Sequence, residues 1–446
     1  MKRFLLSLLL PVVFCLFPDL AESTTYHVRK TGNDSNSCTA AQNPATPKLT
    51  INAGLACLGV VSGAGANHIV EVTAGVYAET FQNNMPGGTS WNAPFLLRCQ
   101  TSRTCIIRPG AHSTDLFRIG HASSKFFEVR GFEIDGSAQT ASANIVGHAD
   151  IAGVRSRWRD NWMHGSTGSG PCFATAPLTV AEVIDNKIGN CLGVPTGGSG
   201  SHGLYIKAEV AGTLIEGNEI YNNYGMGIQC YPDCLQATIK NNYIHANGAR
   251  CILVQGQSAT DVYNNICYAN GENGTSTAIS IDGNTNAEVY GNTIVGHLGS
   301  GAAILVSASG VTVRNNICVG NVSNSCPSGT ATSSNNLNTG TPANIFDDHL
   351  NGDFTLKDTA TGAIDSGFTL GAPFNVDRAG VTRPQGAAFE IGAYEYVATA
   401  AVSGISRYVD DNASGCVNGS TNYDPTANGG LGQCGAGSAR IYTTIN

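Results

Sequence analysis

The middle of the chain repeats a small pattern: an Asn, one residue of any kind, then an apolar residue. It reads Asn161-Trp162-Met163, Asn186-Lys187-Ile188, Asn218-Glu219-Ile220 and Asn242-Tyr243-Ile244. It continues as Asn264-Asn265-Ile266, Asn292-Thr293-Ile294 and Asn315-Asn316-Ile317. The apolar positions lie 25, 32, 24, 22, 28 and 23 residues apart. A period of this size marks a solenoid. A short alternating stretch such as Thr213-Leu214-Ile215-Glu216 precedes each Asn, and a second one, such as Gly203-Leu204-Tyr205-Ile206-Lys207, follows a polar Asn/Gly loop. Period-two alternation with β-branched residues predicts strands, and no helical periodicity of useful length intervenes. Three short strands per coil, stacked rung on rung, predict an all-β chain wound as a right-handed parallel β-helix. The recurring Asn is expected in a tight turn, where it tolerates left-handed backbone and bonds the next rung in a ladder.

The ends of the array read differently. Thr46 to Val60 predicts a short amphipathic cap helix, begun by Pro47 and ended by Gly59. His68 to Val72, a turn at Gly75 and then Tyr77 predict the first coil. Past Cys326 the periodicity fades, and Ser328 to Asn344 reads as a long loop. The expected organisation is a signal peptide over 1–23, the β-helix over 24–396, a linker over 397–406 and a short module over 407–446. That last module, with Arg407-Tyr-Val, Cys416, Cys434 and Tyr442-Thr-Thr-Ile-Asn446, echoes the N-terminal Tyr26-His-Val, Cys38 and Lys48-Leu-Thr-Ile-Asn52. It reads as the truncated start of a second β-helix.

Composition fits coils joined by polar turns. Only 13% of the 446 residues are charged, while 55 are Gly and 40 are Asn. The 42% hydrophobic content supplies a core and excludes wholesale disorder. The net charge of −8, with no basic block, argues against nucleic acid or an anionic membrane as partner. Met1-Lys2-Arg3, an apolar run from Phe4 to Phe17 and Ala21-Glu22-Ser23 have the form of a secretory signal, and no run is long enough for a transmembrane helix. Export to the cell surface or medium is therefore expected.

Beyond the signal lie 14 cysteines, an even number suited to an oxidising compartment. Spacing favours Cys38/Cys57, Cys99/Cys105, Cys172/Cys191, Cys230/Cys234 and Cys416/Cys434 as disulfides. A metal pair at Cys230-Tyr-Pro-Asp-Cys234 is the weaker reading, and Cys251, Cys267 and Cys318 can stand as free buried thiols.

Ile345-Phe-Asp-Asp-His-Leu-Asn-Gly-Asp-Phe-Thr-Leu, Gly362-Ala-Ile-Asp-Ser-Gly, Asp377-Arg-Ala-Gly-Val-Thr-Arg-Pro and Phe389-Glu-Ile-Gly-Ala-Tyr-Glu-Tyr396 carry a resemblance. They resemble the closing segment of bacterial β-helix proteins of the "choice-of-anchor Q" group, within the pectate-lyase-like superfamily. The resemblance implies a secreted or surface-associated protein, often one without an assigned reaction. Asp347, Asp348 and Asp353 offer a calcium site, although the family pattern reads them as a closure loop.

Candidate chemistry comes from the strand after each loop. Matching Leu204/Ile206 with Met226/Ile228, Ile252/Val254, Ile279/Ile281 and Ile304/Val306 sets Lys207, Gln229, Gln255, Asp282 and Ser307 in one outward column. Extending it backward adds His148 and Thr175. Rungs about 4.8 Å apart make this a polar stripe suited to an extracellular polysaccharide, or simply a solvated face. β-Elimination on a uronic acid needs a base, a neutralising cation and an acid for the leaving oxygen. Lys207 is the base candidate, with His202 and Tyr205 as acids; Arg155, Arg157, Arg159 and His164 form a cluster that could hold a carboxylate. The substrate-binding set is thus His148, Arg157, Gln229, Gln255 and Asp282. Hydrolysis needs paired carboxylates, which the column lacks. The sequence therefore supports a monomeric secreted polysaccharide-binding protein with lyase-type chemistry, or a non-catalytic, adhesin-like scaffold.

Overall fold

The computed structural model describes residues 23–61, 63–140, 143–193, 200–274 and 276–398, with four backbone segments beyond them. The expected signal peptide, most of the expected linker and the expected Cys416/Cys434 pairing lie outside the described residues. Residues 1–395 and 396–446 form two compact units. In the second, Arg407–Val409 pairs in parallel with Ala439–Tyr442, and Val409 faces Tyr442.

The first unit is an all-β solenoid of three parallel sheets with twelve, ten and ten strands. Successive strands of one coil go to different sheets, so each strand's sheet neighbours lie one coil away. The first sheet includes Arg155–Arg159, Val180–Ile184 and Leu214–Glu216. The second includes Trp162–His164, Lys187–Gly189 and Glu219–Tyr221. The third includes Val146–His148, Phe173–Ala174, Leu204–Ala208, Ile228–Cys234 and Ile252–Gln255. Inward residues stack into continuous columns. Ile215, Ile239, Val262, Val289 and Val313 form one, each fully buried. The early coils are filled by Phe81, Phe117, Phe127, Phe173 and Trp158, packed ring against ring.

Buried amides lock the register. The backbone N–H and Nδ2 of Asn161 both donate to Oδ1 of Asn186, at 2.9 and 3.1 Å. The same double bond links Asn186 to Asn218, Asn218 to Asn242, Asn242 to Asn265, Asn265 to Asn292, Asn292 to Asn316 and Asn316 to Asn336. Two assignments need correction: the ladder takes Asn265 and Asn316, not Asn264 and Asn315. Tyr243 pairs with Ile266 and Ile244 with Cys267, so Cys267 and Cys318 fill the inward positions given to Ile266 and Ile317. The left-handed residue is also not the ladder Asn but the one before it: Asp160, Asp185, Gly217, Asn241, Asn264, Gly291 and Asn315 all have φ between 54° and 68°. A second ladder five residues on was not anticipated. It runs through Asn223, Asn247 and Asn270, although the spacing Asn-x4-Asn is visible in the chain.

Six disulfides are present among the described residues, including the four expected there. Cys230 and Cys234 bond each other, which removes the metal reading. Cys251 and Cys267 are paired, as are Cys318 and Cys326, so none of the three presumed thiols is free. The helix near the N-terminus spans only Ile51–Ala56, with Thr50 Oγ1 accepting from Ala53 N–H. It cannot begin earlier because Lys48 is drawn into a backbone bridge with Val28. The stretch read as a loop instead completes a coil through Ser328–Gly329 and Thr332–Ser334.

Residues 342–395 then run back along the outside of the stack. Phe354 packs on Tyr243 and Tyr268, and Phe374 on Tyr263 and Tyr290. Asn264 and Asn315 hold this segment by donating to the carbonyls of Val376 and Phe368. Inside it, Glu390 and Glu395 are buried beside Arg383 and Asp377. Burial and the neighbouring Glu395 carboxylate push Glu390 up to about 8, so Glu390 keeps its proton at neutral pH.

Asn242→Ala removes ladder bonds in both directions and should cost about 1–3 kcal/mol in urea unfolding, whereas Ala246→Gly relieves a left-handed alanine and should gain about 1 kcal/mol. Because Glu390 holds a proton in the folded state that the unfolded chain releases near 4.5, stability should fall as pH rises from 4.5 towards about 8. Glu390→Gln should flatten that part of a melting-temperature profile.

Candidate functional site

The outward positions of the third sheet build a cleft. In register they are Gln82, Arg118, Gly147, Ala174, Tyr205, Gln229, Leu253, Ser280 and Leu305. At Ala174 only a methyl group points outward, which leaves a depression, and the larger Tyr205 and Gln229 rise beside it. The resulting cleft of about 540 Å³ is lined by His202, Tyr205, Lys207, Gln229 and Tyr231, among others.

Alternation along Leu204–Ala208 aims Tyr205 and Lys207 outward and buries Leu204, Ile206 and Ala208. Thr175 clamps this strand: its hydroxyl accepts from Lys207 N–H at 2.8 Å and donates to Lys207 C=O at 3.1 Å. The Lys207 ammonium lies 5.7 Å from the centre of the Tyr205 ring. Burial, with Tyr231 close by, raises the Tyr205 hydroxyl above its ordinary value, so it is a proton donor at neutral pH. His202 is 7% exposed, and its Nδ1 accepts from Met226 N–H at 2.9 Å. Gly225 makes room for it, since a Cβ there would lie 2.4 Å from Nδ1. Burial holds His202 down to about 4, and the occupied Nδ1 leaves the proton on Nε2. It is therefore a neutral hydrogen-bond donor; the expected role of general acid does not suit it.

The column differs from the predicted one. Leu204 pairs with Ile228, so Gln229 sits beside Tyr205 rather than Lys207. Between the pairs Ile206/Cys230 and Ala208/Cys234, three residues of one strand face the single Lys207 of the other. This bulge, closed by the Cys230–Cys234 disulfide, sets Tyr231 in the cleft. In sequence Tyr231 lies inside a cysteine-flanked pentapeptide that reads as a metal or disulfide motif, which hides its outward position. Gln255, Asp282 and Ser307 do share one column, as expected, but lie beyond the cleft.

His148 is not outward. It is level with Ile119 in the register and 6% exposed. Its Nδ1 lies 2.9 Å from Ala174 O and its Nε2 3.1 Å from Ser156 Oγ, with the ring against Trp158 and Phe173. Burial holds it near 4 as a neutral core residue. Thr175, likewise, is buried. Arg157 stands on the first sheet, where it bonds Glu182 at 2.7 Å and Glu128 at 3.4 Å and lies over Trp91. Arg155 and Arg159 share its strand and His164 lies on the second sheet, so none of that cluster lines the cleft. Among the described lining residues Lys207 is the one cation and no carboxylate is present, which leaves nothing there for paired-carboxylate hydrolysis.

The Asp347, Asp348 and Asp353 carboxylates bond inside their own hairpin, to Thr355 and Asn351. Ligand-type atoms of Glu133, Asp135 and His164 come together elsewhere, on the second sheet, but Arg108 already pairs with both carboxylates. No described helix is long and apolar enough to cross a membrane.

A neutral His202 makes a checkable signature. Its ring nitrogens in ¹⁵N NMR should report the Nε2–H tautomer unchanged from pH 8 to pH 5, with protonation only near 4; a midpoint near 6.5 would contradict the buried geometry.

A family model described as "Right handed beta helix region" matches residues 130–341. Among solved structures, a complex of XylC with xylose is similar over 67% of this chain and 69% of that chain, at 13% identity and a TM-score of 0.43. The A-module of the Azotobacter vinelandii mannuronan C-5 epimerase AlgE6 is similar over 60% of this chain and 90% of its own, at 13% identity and a TM-score of 0.37. The PL6 family alginate lyase AlyGC is similar over 87% of this chain and 61% of its own, at 14% identity and a TM-score of 0.40. No curated protein sequence matches the chain.

Proposed function

We propose that the cleft on the third sheet binds a carbohydrate chain, and that the protein is a secreted or surface-associated polysaccharide-binding protein. The observation that carries this reading is the convergence of Tyr205, Lys207, Gln229, Tyr231 and neutral His202 in one cleft. Two phenol rings offer apolar surface to sugar faces, while an amide, an imidazole N–H and an ammonium bond hydroxyls or a carboxylate. Lys207, unaccompanied by a carboxylate in the described lining, favours an acidic sugar even though the whole chain carries −8. Six disulfides and the resemblance of residues 345–396 to the choice-of-anchor Q group support an extracellular setting.

A lyase activity is the second reading, favoured by the proton-bearing Tyr205 hydroxyl next to Lys207. After losing its own proton to solvent, the Lys207 amine would take the C5 proton, a C4=C5 double bond would form as the C4–O4 bond breaks, and Tyr205 would protonate O4. No second cation among the described lining residues is placed to neutralise the uronate carboxylate, so binding is the better-supported function.

Lys207→Ala should weaken binding of uronic-acid oligosaccharides about tenfold in titration calorimetry and reduce its salt dependence. Unsaturated products released by the native protein and lost in Lys207→Ala would establish the lyase. Binding without product would establish the non-catalytic reading, and no binding by the native protein across acidic and neutral glycans would overturn both.

A further inference from the structure

Resting on the carbohydrate reading of the cleft, we infer that the Cys230–Cys234 disulfide is a positioning device for Tyr231, which acts as a specificity wall for the bound sugar ring. The strand before it continues from Ile206 to Ala208 through Lys207 alone, whereas the strand carrying the bulge covers the same step with Tyr231, Pro232 and Asp233. Extra residues in one strand must leave the ladder, and here they leave on the cleft side. Both cysteines are fully buried in the core, so the disulfide pins the two ends of the bulge below the sheet. Its tip stays accessible: Tyr231 is 36% exposed and its ring stands near-parallel to Tyr205, 6.5 Å between centres.

Two further contacts seat the bulge from the next rung. Gln257 Nε2 donates to Asp233 Oδ1 at 3.1 Å. Gly256, at φ 66°, lies so close that a Cβ would come within 2.3 Å of Pro232 O. Neither contact touches the cleft, so their direct effect is on the bulge. The arrangement replaces the polar side chain expected next to Lys207 with an aromatic face. A sugar ring that reaches the ammonium must therefore also present an apolar face to Tyr231, which selects for ring orientation as well as charge.

Four variants and two measurements test this. In titrations with uronic-acid and neutral oligosaccharides, Tyr231→Ala should weaken binding about tenfold, and Cys230→Ala/Cys234→Ala should weaken it equally. The triple variant should show no further loss, because the disulfide acts through Tyr231. Tyr224→Ala, an exposed tyrosine that does not line the cleft, should bind as the native protein does. Without any ligand, hydrogen exchange of the amides of 231 and 233–235 should speed up in the double-cysteine variant while the ladder amides of 218 and 242 stay protected. Equal binding in the double-cysteine variant, or an additive loss in the triple variant, would overturn the inference while leaving carbohydrate binding intact. If the native protein binds no glycan, the carbohydrate reading fails and the specificity role fails with it; unchanged exchange at 231–235 would separately overturn the positioning.

Discussion

A buried primary amide has two donors and an acceptor that water cannot reach, and each ladder asparagine meets that demand through the coils on either side. Asn242 donates its Nδ2 to Ile215 O in one direction and to Asn265 Oδ1 in the other, while its own Oδ1 accepts from Asn218. Slipping one coil by a residue would orphan several such groups at once, at a cost of about 1–3 kcal/mol for each. The ladder therefore fixes which residue stands above which throughout the stack. The outward columns, and with them the cleft, inherit that register.

The cleft arises where the regular stack is modified in two ways. Ala174 withdraws side-chain volume from the outer face, and the bulge at 231–233 adds volume one rung past Tyr205. Neither change disturbs the core, because inward positions at these rungs remain Val146, Phe173, Leu204 and Ile228, all fully buried. The solenoid thus supplies a rigid floor on which small outward substitutions shape a binding surface.

Much of the architecture was legible in the chain because the solenoid is periodic, and local cysteine spacing foretold the near-neighbour disulfides. The errors were local and have physical causes. At Asn264-Asn265 and Asn315-Asn316 two adjacent amides both fit the motif, and only the pairing of Tyr243 with Ile266 tells the turn residue from the ladder residue. The outward column was misread because a bulge breaks the constant step that alignment by apolar pairs assumes. His148 shows the same failure, since a histidine bonded to Ala174 O and Ser156 Oγ looks in sequence like any outward polar residue. The path of 342–395 along the side of the stack depends on aromatic contacts about 100 residues apart in sequence, which no local pattern encodes.

The proposed function stands or falls on whether ligand meets the third sheet at this cleft. Hydrogen exchange followed by mass spectrometry, with and without a saturating acidic oligosaccharide, locates the contact directly. Added protection is expected in peptides covering 169–175, 200–207 and 226–234, which carry the cleft lining. Protection on the first or second sheet instead, with these peptides unchanged, would contradict it.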